Sequence, residues 1–199
     1  MSDEAYCYPP EFVVLKNKLD LRDAELLDRF ERRAAAQRAA QGIPSGKFDL
    51  AHLRAIHRHL FQDVYDWAGE LRTVEIAKGG NQFQFRQYIT TGMADVHRRI
   101  VAADYLKGLS AHAFSDKAGE IIGDVNYVHP FREGNGRTQA LYLEALARQA
   151  GHPIDLTRIV REQWMEASKA AHAGRYTPFG DCIHAALVGE TDDKPSSGD

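Results

Sequence analysis

Between residues 126 and 139 the chain reads NYVHPFREGNGRTQ, a segment dense in reactive side-chain types. His129 carries an imidazole that titrates near neutrality, which suits it to take a proton from a hydroxyl. Four residues later stands Glu133, directly before Gly134-Asn135-Gly136. Glycines permit backbone conformations that turn successive N–H groups into one concavity, and at a helix N-terminus such a concavity holds anions. Arg137 falls in the first turn of the following helix, where its charge opposes the helix dipole. That placement makes sense beside a bound anion. A carboxylate next to a phosphate site is a natural ligand for Mg²⁺, which shields the like charges from each other. Phe131 is expected to turn inward and anchor the loop. Gly-Asn-Gly alone is an ordinary turn and His-Pro alone an ordinary helix end; their order and close spacing single the segment out.

Helices must position this loop. Residues 115–128, with Ser115 as cap and Ala118, Ile121, Ile122, Val125 and Val128 on one face, lead into it. A helix restarts near Asn135 and runs to Ala150, stopped by Gly151 and Pro153. Upstream, residues 1–19 read as an arm packed on the body and 21–41 as a helix ended by Gly42, Pro44 and Gly46. Asp49 caps a helix predicted over residues 50–69, with Leu50, Leu53, Ile56, Leu60, Val64 and Trp67 at helical spacing. Residues 72–85 change character: Thr73, Val74 and Ile76 favour strand, Gly79-Gly80-Asn81 turns, and Phe83 and Phe85 alternate with Gln, which predicts a small hairpin. Further helices are predicted over 86–107, 157–172 and 176–188. The fold class is all-α with one hairpin. The organisation is an N-terminal arm and helix (1–45), a helical domain (46–188) and an acidic, disordered tail (189–199).

The 199 residues suit one domain that needs no covalent staple. Net charge is -3, which the acidic tail alone supplies, so no electrostatic footprint for direct nucleic-acid binding is evident. There is no apolar run long enough for a membrane span and no signal-peptide pattern at the start. The two cysteines, Cys7 and Cys182, form neither a disulfide framework nor a metal spacing, so a reducing cytoplasm is the simplest compartment. His52, His57 and His59 lack a completing carboxylate at ligand spacing and read as a solvated helix face. Glu25, Asp28 and Glu31, interleaved with arginines, read as intrahelical ion-pair partners. Trp67 and Trp164 read as core, and Cys182 as a buried small hydrophobe.

HPFREGNGR, residues 129–137, resembles the signature of the Fic family, His-x-Phe-x-Asp/Glu-Gly-Asn-Gly-Arg-x-x-Arg, at nine consecutive positions. DWAGELRTVEIAKGG, residues 66–80, resembles the family's helix end and the hairpin called the flap, and the likeness covers roughly residues 46–188. The arm and first helix resemble those of bacterial Fic toxins and secreted Fic effectors. The resemblance implies AMP transfer from Mg-ATP to a Ser, Thr or Tyr hydroxyl of a target protein, with release of pyrophosphate. It implies His129 as the base, Glu133 as the Mg²⁺ ligand, and Gly134, Asn135 and Gly136 as the phosphate cradle. Arg137 would bind near the β-phosphate. The flap, residues 73–85, would register the target by strand pairing, with Lys78 and Gly79 bordering the nucleotide and Asn126 lining the pocket.

One position departs from the signature: its second arginine falls at 140, where this chain has Ala140. In the family that arginine helps hold the γ-phosphate. Its loss weakens ATP binding, permits another nucleotide pose or marks a degenerate enzyme; Arg132 is a candidate to compensate. No Ser/Thr-x-x-x-Glu-Gly/Asn inhibitory run is present; the nearest match ends at Glu133-Gly134 and starts with His129, where the pattern needs Ser or Thr. The chain therefore resembles the class restrained by a separate small antitoxin, whose toxins target type II DNA topoisomerase subunits; a secreted effector acting on host small GTPases is the other setting. The alternative of another class is a catalytically weak nucleotide-binding or interaction module, for which Ala140 is the sequence support.

Overall fold

Asp23 and Asp49 open the first two helices as the sequence requires. The Asp23 carboxylate accepts from the backbone N–H groups of Glu25 and Leu26, both at 2.9 Å, and that of Asp49 from His52 N–H at 2.8 Å. The structure, a computed structural model, describes residues 3–189. It contains helices α1 (Ala24–Ala39), α2 (Leu50–Phe61), α3 (Ile89–Ala102), α4 (Ala111–Val128), α5 (Asn135–Ala150), α6 (Arg161–His172) and α7 (Thr177–Ala186). One antiparallel pair, β1 (Ala77–Lys78) and β2 (Asn81–Gln82), is registered Ala77 to Gln82 and Lys78 to Asn81. The all-α class with one small hairpin is therefore correct. The expected tail lies almost wholly outside the described residues.

Two compact units share α4 and α5. The first comprises residues 1–102 and Asp124–Tyr142. In it α1 packs on α2 and α2 on α3. Its core gathers Leu53, Ile56, Leu60 and Phe61 from α2, Ile89, Met93, Val96 and Ile100 from α3, and Val125, Val128, Phe131 and Tyr142 beyond. The arm is tied in by a bridge between Cys7 and Leu15 and by the Tyr6 hydroxyl, which accepts from Thr73 N–H at 3.0 Å. The second unit comprises Ala103–Gly123 and the chain from Leu143 on. There α6 packs on α7, and an Ile154–Leu187 bridge joins the approach to α6 with the end of α7. No described helix is long and apolar enough to cross a membrane.

Several boundaries differ from the sequence reading. The helix after Asp49 ends at Phe61, eight residues early, and the apolar spacing continues through turns to Gly69. Ser115 does not cap α4; the helix begins at Ala111, and the Ser115 hydroxyl donates back to the Ala111 carbonyl at 2.9 Å. Only four residues of the expected hairpin pair as strands, because Thr73 and Val74 direct their backbones elsewhere: Thr73 N–H to Tyr6 and the Val74 carbonyl to Arg72. His52 and His57 do not form a solvated face: they are 4% and 0% exposed. Cys182 is buried as expected, whereas Trp67 and Trp164 are half-buried.

Candidate active site

All the residues singled out around positions 126–137 lie in the first unit. α4 delivers His129 one residue past its end, at φ 46°, a left-handed conformation costly for a residue with a Cβ. Its surroundings hold it there. The His129 N–H donates to the Val125 carbonyl at 3.1 Å, and the His129 carbonyl accepts from Arg72 Nε at 2.8 Å. The ring stacks on Phe83 with centroids 3.8 Å apart. Nδ1 lies 3.1 Å from the Asn126 carbonyl. A carbonyl only accepts, so Nδ1 carries the hydrogen and Nε2 is the basic nitrogen of the neutral ring. Asn126 therefore orients the imidazole through its main chain, while its side chain is buried.

Asn135 pins the loop that follows. Its side chain exchanges two hydrogen bonds with the main chain of Phe131, accepting from N–H at 3.0 Å and donating to C=O at 2.8 Å. Asn135 is thus a structural clasp, 3% exposed. Gly134 adopts φ 80°, and a Cβ there would meet the Phe61 ring at 2.4 Å, so only glycine fits. Gly136 is the opposite case: it is exposed, and a Cβ would meet nothing within 4 Å. The open space lies at the first turn of α5, whose leading N–H groups have no intrahelical partners.

Glu133 stands at the rim with its side chain 48% exposed. Its Oε1 accepts from Gly134 N–H at 2.8 Å, and its carbonyl accepts from His57 Nε2 at 3.0 Å. His57 completes a bridge: its Nδ1 accepts from Gly69 N–H at 2.8 Å. With both nitrogens committed and the ring stacked on Phe131 at 3.9 Å, burial lowers its pKa to about 4. Arg137 lies between the loop and α1. Its Nη2 pairs with Glu31 on α1 and lies 3.8 Å from Glu133 Oε1, and its guanidinium sits 4.8 Å over the Phe61 ring.

Three further residues expected to border the nucleotide are placed as follows. Arg132 is ion-paired to Asp3 of the arm. Lys78 and Gly79 sit exposed on the hairpin, Gly79 at φ 57° in the turn. Sequence reasoning passed over Arg72 and Tyr65, and it read Glu31 and His57 as surface residues. Arg72 is buried and donates to the carbonyls of His129, Val74 and Gln84, joining the hairpin stem to the loop. Burial pulls its guanidinium below its ordinary pKa, and Glu75 opposes that pull. Of the three early acids on α1, Asp28 does pair within the helix, with Arg32, whereas Glu31 turns inward.

Residues 47–147 match the model of the Fic/DOC family. The chain is 37% identical over 178 residues to the "probable protein adenylyltransferase y4lH" of Sinorhizobium fredii, covering 89% of this chain and 92% of that one. It is 34% identical to the "probable protein adenylyltransferase Fic" of Escherichia coli, covering 94% and 93%. The crystal structure of the BepC protein of Bartonella tribocorum with bound AMPPNP superposes with a TM-score of 0.87 at 25% identity, covering 94% of this chain and 98% of that chain. The chain belongs to the Fic/DOC family, and it is an enzyme of that family's nucleotidyltransferase class.

Proposed function

We propose that this protein transfers AMP from Mg-ATP to a Ser, Thr or Tyr hydroxyl of a target protein. The observation that carries the reading is the imidazole of His129, whose hydrogen is committed to the Asn126 carbonyl, standing ahead of the open N-terminus of α5. Its Nε2 takes the proton of the target hydroxyl. The oxygen then bonds to the α-phosphorus as the bond to pyrophosphate breaks, and pyrophosphate leaves with the electron pair. The leading N–H groups of α5 and the Arg137 guanidinium stabilise negative charge as it moves to the leaving group. The names of the relatives and the AMPPNP bound in the similar BepC structure support this donor.

The metal of the proposal fits one residue of the chain. Among the described residues no group of three His, Cys, Asp or Glu side chains could cage a cation. Glu133 offers a half-exposed carboxylate whose Oε1 alone is engaged by a backbone N–H. One carboxylate completed by donor phosphates and water is the ordinary Mg²⁺ arrangement. Bound there, the ion would neutralise phosphate charge; Glu133 would hold it.

The proposed setting is a bacterial toxin restrained by a small antitoxin, with type II DNA topoisomerase subunits as targets docked along residues 73–85. A second reading, a weak nucleotide-binding module, is favoured by Ala140. Transfer of α-labelled ATP into a bacterial lysate, compared with His129→Ala, separates them. A labelled band present only with the unmutated protein supports transfer, and its size points to the target. Mg-ATP binding without any labelled protein favours the module. Co-expression with a neighbouring small protein tests the antitoxin, and failure to co-purify counts against it.

A further inference from the structure

The partner of Arg137 comes from a different helix and is buried. Glu31, on α1, is 5% exposed, and each of its carboxylate oxygens has a partner: Oε1 accepts from Arg137 Nη2, and Oε2 accepts from the Tyr65 hydroxyl. Tyr65 is itself 1% exposed, with its ring stacked on Trp67 at 4.2 Å. The carboxylate is thus fixed from behind by a phenol that cannot turn to solvent. Glu133, the other acid near the guanidinium, differs on every count: it is 3.8 Å from Nη2 and half-exposed. Glu31 is built in on both oxygens, whereas Glu133 is half-exposed and is engaged by the Gly134 N–H at Oε1. An arginine in the first turn of a helix is repelled by the dipole and has four side-chain torsions to fix. Glu31 supplies the opposing charge, and the Phe61 ring under the guanidinium supplies the floor.

We infer that Glu31, backed by Tyr65, is a positioning residue for transfer: it sets the Arg137 guanidinium in place before the donor phosphates arrive. The inference rests on the proposed reading of Arg137 as a donor-phosphate ligand. Pre-set cations lose less freedom on binding than mobile ones, so the effect falls on donor affinity and on transfer rate at low donor. Glu31 acts only through Arg137 and touches no reacting atom.

The test is equilibrium binding of Mg-ATP to the full chain as Glu31→Gln, Arg137→Ala and the double variant, with urea unfolding of each as a control. Glu31→Gln keeps the shape and the phenol bond and removes the charge. It is expected to weaken Mg-ATP binding about tenfold, the worth of one charge-assisted contact. Arg137→Ala alone is expected to weaken binding as much or more, and adding Glu31→Gln to it should cost nothing further. An equal added loss in the Arg137→Ala background means that Glu31 acts through the fold, and overturns the inference. So does unchanged or tighter binding by Glu31→Gln while Arg137→Ala is weak. Wild-type affinity in Arg137→Ala instead overturns the reading of the site. If Glu31→Gln does not unfold cooperatively, Tyr65→Phe takes its place; it keeps the ring stack, and about a threefold loss that vanishes in the Arg137→Ala background is expected.

Discussion

Arg72 holds the carbonyl of His129 at 2.8 Å across 57 residues of sequence, while its own N–H donates to the Pro130 carbonyl at 2.9 Å. The proposed base thus owes its left-handed backbone to a buried guanidinium at the foot of the hairpin. Arg72→Met would leave three carbonyls without their donor and Glu75 without its buried partner. It is expected to destabilise the fold by about 3–5 kcal/mol, read as a shift in the urea midpoint. Arg72→Lys keeps the charge but cannot reach all three carbonyls, and its transfer rate should fall more than its Mg-ATP affinity.

His129→Ala should retain Mg-ATP affinity and lose transfer by about 10²- to 10⁴-fold, the usual worth of general acid–base catalysis. Transfer by His129→Ala at the wild-type rate would remove His129 as the base.

Stability should fall on mild acidification. The pKa of His57 in the fold is about 4 against an ordinary 6.5, because burial disfavours the cation. A depressed histidine contributes its full stability above the unfolded pKa. Below pH 6.5 the unfolded chain takes up a proton that the fold refuses, and stability drops until the pH nears 4. Between pH 7 and pH 5 the loss is about 2 kcal/mol from His57, and His52, also lowered by burial, adds in the same direction. Urea unfolding at the two pH values measures it. His57→Gln should flatten the dependence; an unchanged slope would show that other groups govern it.

The two glycines of the loop should part company. Gly134→Ala collides with Phe61 and strains a positive φ, and is expected to cost about 1–3 kcal/mol of stability. Gly136→Ala meets open space and should leave the unfolding midpoint within about 0.5 kcal/mol. A methyl there narrows the anion face, so Mg-ATP affinity is where its effect is expected.

Ala140→Arg tests the departure from the signature. It should tighten Mg-ATP binding about tenfold if a cation at that position meets phosphate. Arg132→Gln should leave Mg-ATP affinity unchanged, because Arg132 is taken up by Asp3. Unchanged affinity in the first would show that another group already does that task, and weakened affinity in the second would show that Arg132 serves the donor.

What the sequence made legible was contiguous. The loop 129–137 and both ends of α5 could be read directly, since Gly, Asn and Pro punctuate locally and the signature has no gaps. Groups that meet across the chain were hidden. Glu31 has arginines as sequence neighbours, and nothing local distinguishes an acid that pairs along its helix from one that turns to Arg137, 106 residues away. His57 looks like a surface histidine until Gly69 and Glu133 are seen to satisfy both its nitrogens. The helix predicted to Gly69 stopped at Phe61 because apolar spacing persists through consecutive tight turns, and periodicity reads burial rather than backbone.

The stacking of Phe83 on His129 gives the hairpin a division of labour along its length. Residues 77–80 and 82 are exposed, whereas Phe83, one position further, is buried and stacks on the His129 imidazole. An exchange of hairpins with a relative that stops at Gln82 therefore changes exposed residues and leaves the ring stack on the imidazole in place. One that continues through Phe83 exchanges the stacking ring as well, so Gln82 and Phe83 mark where such an exchange begins to bear on His129.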